Sequence, residues 1–301
     1  MINVYELQDS NKRRSTVVIA AFVVFVLMIG WVFARLFDYG PGAIGIALIF
    51  AGLMSFASYW WGDKIILTLS AARPADRKRD FQFFTVAENL AMAAQIPMPK
   101  LYVIDDSSPN AFATGRDPQH AVVCATTGLL QKLDRTELEG VVAHEISHVK
   151  NYDTRLMSIV TILVGMITLL SDWFLRGARF GRGSREKEEG NLGAFLLLLG
   201  VFLALLSPLI AKLMQLALSR RREFLADSSA AMLTRYPEGL ARALEKIAAD
   251  REPLEVANKA TAHLYIVNPL KNLHSGVGWF AGLFNTHPPV EERIRILREM
   301  V

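Results

Sequence analysis

The chain has 301 residues, of which 52% are hydrophobic, a formal net charge of +4 and a single cysteine. One cysteine excludes an intramolecular disulfide framework. The mean hydropathy of +0.27 is high for a soluble protein, so membrane segments are expected. In such a protein a mild basic excess indicates anchoring at the cytoplasmic face rather than binding of nucleic acid.

Two long apolar segments come first in the chain. Ser15–Ala34 and Gly42–Trp61 are each long enough to span roughly 30 Å of hydrocarbon as a helix. The first is too long for a cleaved signal peptide. Basic residues flank the pair at Lys12–Arg14 and again over Lys64–Arg79, so the positive-inside rule predicts both flanks in the cytoplasm. Residues 1–64 are therefore predicted to form a transmembrane hairpin.

A second apolar pair is predicted over residues 156–218. Its first segment, Leu156–Ser171, is short, whereas Leu192–Ala211 has the length of a full span. The glycine-rich loop between them is basic, which is against the charge rule if both segments cross the bilayer. Two alternatives stay open: both segments cross, which we favour, or the pair is a re-entrant hairpin that lines a chamber.

The remaining sequence is typical of an α+β domain. Residues 65–155 contain a helical pattern, DFQFFTVAENLAMAAQ, and three short strands in PKLYVIDD, NAFATG and HAVVCATTG. Residues 219–301 are predicted to be mostly helical, and Pro289 is expected to open the last helix. The predicted fold is a mainly α membrane protein, with four apolar helices in two hairpins and a cytosolic α+β domain with a small sheet.

The segment ELEGVVAHEISHVKNYD lies just before the second apolar pair. Asp134 and Glu137 form a capping-box pattern, which predicts a helix that runs to about Lys150. His144 and His148 are four residues apart and therefore lie on one face of that helix. Two imidazoles at this spacing can hold one tetrahedral zinc ion.

Glu145 completes the H-E-x-x-H signature of metalloproteases. From beside the first histidine it can take a proton from the attacking water and later deliver it to the leaving amine. The competing interpretation is a set of polar residues on a solvated helix face. It is weak, because this pattern rarely arises by chance in a chain with 6 histidines.

A catalytic zinc needs a third protein ligand. No third histidine of the metzincin type follows His148, so a carboxylate from a later helix is expected. The segment RRREFLADSSA offers Glu223, with Asp227 one turn on, although a surface helix with acids beside arginines fits this pattern equally well. His148 precedes the second apolar pair and Glu223 follows it closely, so both halves of the site would lie near the membrane face.

Four motifs in this order, HEISHVKNYD, EFLAD, NAFATG and THPPVEERI, resemble the HtpX family of membrane-bound zinc endopeptidases. These enzymes are gluzincins related to the CAAX prenyl proteases, and the resemblance covers essentially the whole chain. It implies a zincin-like catalytic domain built from residues 65–155 and 219–301. It also implies one Zn²⁺ per chain, held by His144, His148 and Glu223.

The resemblance implies roles for further residues. Glu145 would be the general base, Asp227 would orient a zinc ligand, and His287 would stabilise the oxyanion in the cleft. Tyr152 departs from the family pattern, which has glycine there. The implied substrate-binding residues are Arg293 and four residues of an edge strand that pairs with the substrate backbone: Asn110, Ala111, Phe112 and Ala113.

Members of this family act in membrane-protein quality control and stress response, beside ATP-dependent proteases. The resemblance therefore implies cleavage of unfolded or misfolded membrane proteins at the cytoplasmic face. The expected partners are these substrates, the lipid bilayer and other quality-control proteases, with no nucleic acid. The expected location is the prokaryotic cytoplasmic (inner) membrane, with several passes and with the catalytic domain and both termini in the cytoplasm.

Two other functions compete with this one. An intramembrane protease would place its motif in an apolar helix, whereas this helix carries Glu137, Glu139 and Lys150. A zinc-stabilised scaffold or a transporter component is the second alternative, but the apolar segments hold no charge pathway, only Lys212 near an end. Prenyl-peptide processing shares the same motifs, and four apolar segments favour broad quality control over it.

Overall fold

A computed structural model describes residues 4–36, 42–163, 165, 220–250, 252, 254, 261, 264–267 and 288–300. Over these residues the chain is mostly helical with one small mixed sheet, as the sequence predicts. Of the second apolar pair predicted over 156–218, the described part is 156–163 with 165. The rest of that pair, including its basic loop, lies outside the described residues.

Three helices form the N-terminal part: α1 (Val4–Leu36), α2 (Gly42–Trp60) and α3 (Gly62–Leu69). The first two contain the apolar segments expected from the sequence and pack against each other. Among the described residues, no single helix is long and apolar enough to cross a membrane. Ile44–Trp60 and Gly62–Leu69, bent by 81°, meet that requirement together by length and composition alone.

Four strands form the sheet: β1 (Arg73–Pro74), β2 (Lys100–Ile104), β3 (Ala111–Thr114) and β4 (Val122–Thr126). Their order is β1-β2-β4-β3, with β2 parallel to β4 and the two outer strands antiparallel to their neighbours. The three predicted strands are confirmed, whereas β1 is too short to show a sequence pattern. The strand predicted at NAFATG lies at an edge of the sheet.

Seven further α-helices lie within the described residues: α4 (Phe81–Ala94), α5 (Thr127–Lys132), α6 (Arg135–Lys150), α7 (153–163), α8 (Arg220–Thr234), α9 (Pro237–Ala249) and α10 (Val290–Arg298). The helix α6 is central, because it packs against α4, α8, α9 and β3. Apart from its polar face, it is buried among the apolar side chains of the main core. The last helix begins at Val290, one residue after the proline expected to open it.

The start of α6 is the predicted capping box. Asp134 Oδ1 accepts a hydrogen bond from the backbone N–H of Glu137 at 2.9 Å, and Glu137 Oε2 accepts one from the Asp134 N–H at 2.8 Å. Two donors at the helix N-terminus are thereby satisfied within the helix's own first turn. Lys246 on α9 donates to the same Glu137 oxygen at 2.6 Å, so the helix start is also tied to its neighbour.

Small residues let α6 and α9 approach closely. A Cβ at Gly140 would lie 2.6 Å from the backbone nitrogen of Leu240, which is closer than real Cβ contacts come. A Cβ at Gly239 would likewise lie 2.7 Å from the carbonyl oxygen of Thr136. The two backbones are therefore in contact, and this contact sets the depth at which α6 lies in the core.

The helix α7 connects α6 to the N-terminal helices α1 and α2. It begins three residues after α6 ends, and its residues Leu156, Ile159 and Val160 form a buried cluster with Phe22 of α1 and Ala51 of α2. Burial of one such large apolar side chain contributes about 1.5–3 kcal/mol. The hairpin is therefore packed next to the end of α6 that carries the second histidine of the motif.

Candidate metal centre

Two helices bring three potential ligands together. His144 and His148 project from one face of α6, and their Nε2 atoms lie 3.1 Å apart. Glu223, in the first turn of α8, places one carboxylate oxygen 3.7 Å from His144 Nε2 and the other 3.6 Å from His148 Nε2. All three side chains are buried. The fold therefore places the predicted third ligand, Glu223, beside both histidines although it follows His148 by 75 residues.

The geometry of these three residues fits a zinc ion. Zinc–nitrogen bonds of about 2.0–2.1 Å in a tetrahedron separate neighbouring ligand atoms by about 3.3 Å. The distances between the Nε2 atoms and the carboxylate oxygens are close to that value, and the ligand atoms of the three residues all lie within 4.8 Å of one another. Two imidazole nitrogens and a carboxylate are also the donor set of one class of catalytic zinc sites.

A carboxylate holds the outer nitrogen of each imidazole. Asp227 Oδ1 lies 2.9 Å from His144 Nδ1, and Asp153 Oδ2 lies 3.1 Å from His148 Nδ1. With the hydrogen assigned to Nδ1 in each ring, both Nε2 lone pairs point to the same place between the rings. The 3.1 Å contact between the two Nε2 atoms therefore needs either a shared proton or a metal ion between them. This arrangement is the chief reason to assign a metal here.

The two histidines have different electrostatic surroundings. Burial lowers the pKa of His144 to about 4, which favours the neutral ring that binds a metal. Burial also disfavours charge on His148, but the hydrogen bond that its Nδ1–H donates to Asp153 and the carboxylate of Glu223 outweigh it and raise the pKa of His148 to about 9. Surroundings that favour positive charge on this ring also favour a divalent cation beside it.

Arg293 lies behind the ligands rather than in the cleft. Its Nε and Nη2 donate to the two oxygens of Asp227 at 2.8 and 2.6 Å, and its Nη1 donates to the carbonyl of Ile266 at 3.2 Å. The side chain is fully buried. Burial alone would raise the pKa of Asp227, but the guanidinium outweighs it and lowers the pKa to about 2. Arg293 is therefore buried beside Asp227, in support of His144, and the substrate contact implied by the resemblance stays a prediction.

Sequence reasoning assigned no role to Asp153 or Arg222. Asp153 follows His148 by five residues, and Arg222 Nη1 donates to its Oδ1 at 2.7 Å. The acid lies within the quoted motif HEISHVKNYD, so a search for a carboxylate shortly after the second histidine would have found it. Arg222 precedes Glu223, so the same turn of α8 carries a candidate metal ligand and the arginine that bonds to the carboxylate beside His148.

A small cleft opens beside the two histidines. Glu145 lines it together with Ala113 of β3 and Met157 of α7. The general base implied by the motif therefore borders the same space as the metal-binding atoms. Leu264 and Ile266 close the cleft on another side, so its walls are otherwise apolar.

The four predicted substrate-binding residues of the edge strand differ in their positions. The side-chain amide of Asn110 donates to the carbonyl of Val267 at 2.9 Å, and the carbonyl of Ala111 accepts from the Ile266 N–H at 3.0 Å. Phe112 packs edge-on against Tyr265. Of the four, Ala113 lines the cleft. His287, the predicted oxyanion residue, lies outside the described residues.

An i, i+1, i+4 His-Glu-His helix against a small sheet, with a glutamate from a later helix closing the site, defines a gluzincin-type metalloprotease. Comparison with known proteins agrees, since the sequence model of peptidase family M48 matches residues 77–301. The chain is 46% identical over 296 residues to a protease HtpX homolog of Dictyoglomus thermophilum, covering 98% of this chain and 94% of that protein. It is 43% identical over 298 residues to one of Caldanaerobacter subterraneus subsp. tengcongensis, covering 98% and 97%.

A solved structure has the same fold. The crystal structure of S. mikatae Ste24p matches with a TM-score of 0.50 and 20% sequence identity, covering 97% of this chain and 67% of that one. That likeness shows the fold, and the family follows from the sequence comparisons. The chain belongs to peptidase family M48, among the HtpX-type metalloproteases.

Proposed function

We propose that this chain is an integral-membrane zinc endopeptidase that cleaves unfolded segments of misfolded membrane proteins at the cytoplasmic face. The observation that carries the proposal is the set of facing donors: Nε2 of His144, Nε2 of His148 and the carboxylate of Glu223, at mutual distances of 3.1, 3.6 and 3.7 Å. One zinc ion per chain fits this set.

Glu145 carries the proton transfers in the proposed reaction. A bound zinc ion supplies a Lewis acid for the scissile carbonyl and the attacking water. Glu145 borders the same cleft as the two imidazoles, where its carboxylate takes a proton from the water and passes it to the leaving amine. By likeness to the family, His287 is proposed to stabilise the oxyanion.

The edge strand β3 is proposed to bind the substrate main chain. Asn110, just before the first ladder pair, faces β4: its carbonyl accepts from the Thr126 N–H at 3.0 Å and its N–H donates to the Thr126 hydroxyl at 2.9 Å. Because the residues that face the neighbouring strand alternate, Phe112 and Thr114 turn their main-chain groups toward β4. Ala113 then turns its N–H and C=O away from β4, on the side of the cleft, where an extended substrate can pair with them. Main-chain pairing favours unfolded substrates of varied sequence.

The N-terminal hairpin is proposed to lie in the membrane. Large apolar side chains on α1 and α2 are exposed, which a soluble surface rarely tolerates as a group. Examples are Val24, Ile46, Ile49, Leu53 and Trp60. The division into a hairpin over 1–64, a second hairpin over 156–218, and catalytic segments over 65–155 and 219–301 is part of this proposal, as is the cytoplasmic side of the catalytic domain.

The test uses the full-length protein in liposomes with two membrane substrates. One carries an unfolded cytoplasmic segment, and the other carries the same segment folded around a tight ligand. We expect cleavage of the unfolded form alone, loss of cleavage on zinc chelation, and no cleavage by Glu145→Gln despite full zinc content. Undiminished turnover by Glu145→Gln would refute the mechanism. Cleavage confined to a prenylated peptide would replace the proposed substrate class with prenyl-peptide processing.

A further inference from the structure

Asn11, in the N-terminal part of α1, reaches the metal centre from outside the catalytic segments. Its side-chain nitrogen donates to Asp153 Oδ1 and to the carbonyl of Asn151, each at 2.8 Å. Its side-chain oxygen accepts from Arg222 Nη1 at 2.9 Å. The residue is 2% exposed. Asn11 therefore uses its donor and its acceptor inside one buried network that also contains the carboxylate bound to His148.

The polarity of this network requires an amide at position 11. Turning the amide over would place its NH₂ group against the guanidinium of Arg222 and its oxygen against the carboxylate of Asp153, so one orientation satisfies all partners. A carboxylate at position 11 would keep the contact with Arg222 but face Asp153 with a like charge. The site is therefore specific for a neutral side chain that donates and accepts.

Neighbouring residues of α1 fix the same end of α6. Gln8 donates from its side-chain amide to the carbonyl of Lys150 at 3.0 Å, and this carbonyl is one of those left without a partner inside α6. The ammonium of Lys12 lies 4.5 Å above the ring of Tyr152, which puts a positive charge near the negative end of the helix dipole.

Tyr152, the departure from the family's glycine, belongs to this contact. Its φ of 58° is in the left-handed region, which explains why glycine suits this position. The tyrosine ring in return gives Lys12 a surface to pack on. In this chain the turn between α6 and α7 therefore also contacts the first helix, through Tyr152 and Lys12.

We propose that Asn11 is a positioning residue of the metal centre, which together with Gln8 and Lys12 of the first helix holds Asp153 against His148. The orientation of the second imidazole then depends on how α1 is seated, so the N-terminal hairpin completes the metal site as well as anchoring the enzyme. This role presupposes the zinc binding proposed above.

The test compares full-length protein in detergent carrying Asn11→Asp or Asn11→Ala with the wild type. Zinc affinity is measured by competition with a chelator, and kcat and KM are measured on an unfolded polypeptide. Loss of the carboxylate that supports a ligating histidine typically weakens metal binding about 10- to 100-fold. Asn11 acts on that carboxylate and not on the histidine itself, so we expect zinc affinity to fall about tenfold, and further in Asn11→Asp than in Asn11→Ala. We expect kcat to fall with little change in KM, because β3 is untouched.

A double-mutant cycle separates positioning from general stability. If Asn11 acts through Asp153, then Asn11→Ala should change zinc affinity by less than about twofold in an Asp153→Ala background. The matched control is Thr16→Ala, an exposed residue of the same helix whose hydroxyl bonds only to the carbonyl of Lys12 among the described residues. Its zinc affinity should equal that of the wild type.

Cobalt substitution supplies a readout that folding alone does not move. Replacing zinc by Co²⁺ gives an absorption spectrum that reports ligand geometry, and the Asn11 variants should shift it while Thr16→Ala should not. Wild-type affinity and an unchanged cobalt spectrum in both Asn11 variants would overturn this inference while leaving the proposed function intact. A wild-type protein that binds no zinc would instead remove the proposed function itself.

Discussion

Arg293 and Asp227 form a bidentate ion pair with both side chains buried, joined by hydrogen bonds of 2.8 and 2.6 Å. The pair links α10 to α8, and Asp227 in turn holds the Nδ1 atom of His144 on α6. Three helices distant in the chain therefore meet at one imidazole. Arginine suits this place because its planar guanidinium can bond to both carboxylate oxygens while its remaining N–H groups reach a backbone carbonyl.

Replacing this arginine should destabilise the protein strongly. Arg293→Leu should lower the free energy of unfolding by about 3–5 kcal/mol, because it leaves the Asp227 carboxylate buried without its cation. Thermal unfolding in detergent measures the loss. The control is Arg295→Leu on the same helix, whose exposed pair with Glu299 is worth at most about 1 kcal/mol. Similar losses for the two variants would contradict the role assigned to Arg293.

Zinc removal should lower both activity and stability. A ligand that binds only the folded state adds about 2.7 kcal/mol at a free concentration one hundred times its dissociation constant. Chelation should therefore lower the unfolding temperature and abolish cleavage, and added zinc should restore both. In Glu223→Ala the zinc-dependent rise in unfolding temperature should largely disappear. A full rise in that variant would show that the carboxylate of Glu223 is not a ligand.

Loss of one main-chain donor on β3 should weaken substrate binding without affecting the metal. Ala113→Pro removes an N–H that the ladder with β4 does not use, and proline is tolerated at sheet edges. A net hydrogen bond of about 0.5–1.5 kcal/mol predicts a rise in KM of roughly two- to thirteenfold, with zinc content unchanged. Ala113→Gly keeps the N–H and should leave KM near the wild-type value. A similar rise in KM for both variants would argue against main-chain pairing.

Crowding at the contact between α6 and α9 predicts a loss of stability. Gly140→Ala should cost about 1–3 kcal/mol, because its Cβ would come within 2.6 Å of the Leu240 backbone nitrogen. Unfolding temperatures compare it with Gly52→Ala on α2, where a Cβ meets no atom of the described residues within 4 Å. A neutral Gly140→Ala would mean that the two helices can separate without loss.

Patterns that are local in the chain were predicted well. The capping box, the start and end of α6, and the common face of His144 and His148 follow from the geometry of one helix, which three- and four-residue spacings determine. The three longer strands are likewise visible as short apolar runs between turn residues. β1 was missed because two residues are too few to form a pattern.

Contacts between distant segments could not be predicted in the same way. The spacing and residue types of RRREFLADSSA fit a surface helix as well as a ligand helix, and only the packing of α8 on α6 places Glu223 beside both imidazoles. Arg293 carries a charge that its sequence neighbourhood would leave in solvent, yet it is buried because Asp227 is there to receive it.

The sequence by itself determined that this chain carries a helix with an H-E-x-x-H face, since backbone geometry converts a four-residue spacing into adjacency without reference to anything else. Only the tertiary structure decided which distant groups meet at that face: Glu223 and Asp227 of α8, and Asn11 of the first helix, which bonds to Asp153 across 142 residues. Side chains so far apart in sequence meet only when the apolar surfaces of their helices pack together, and the same packing supplies the partners that allow charged groups to be buried.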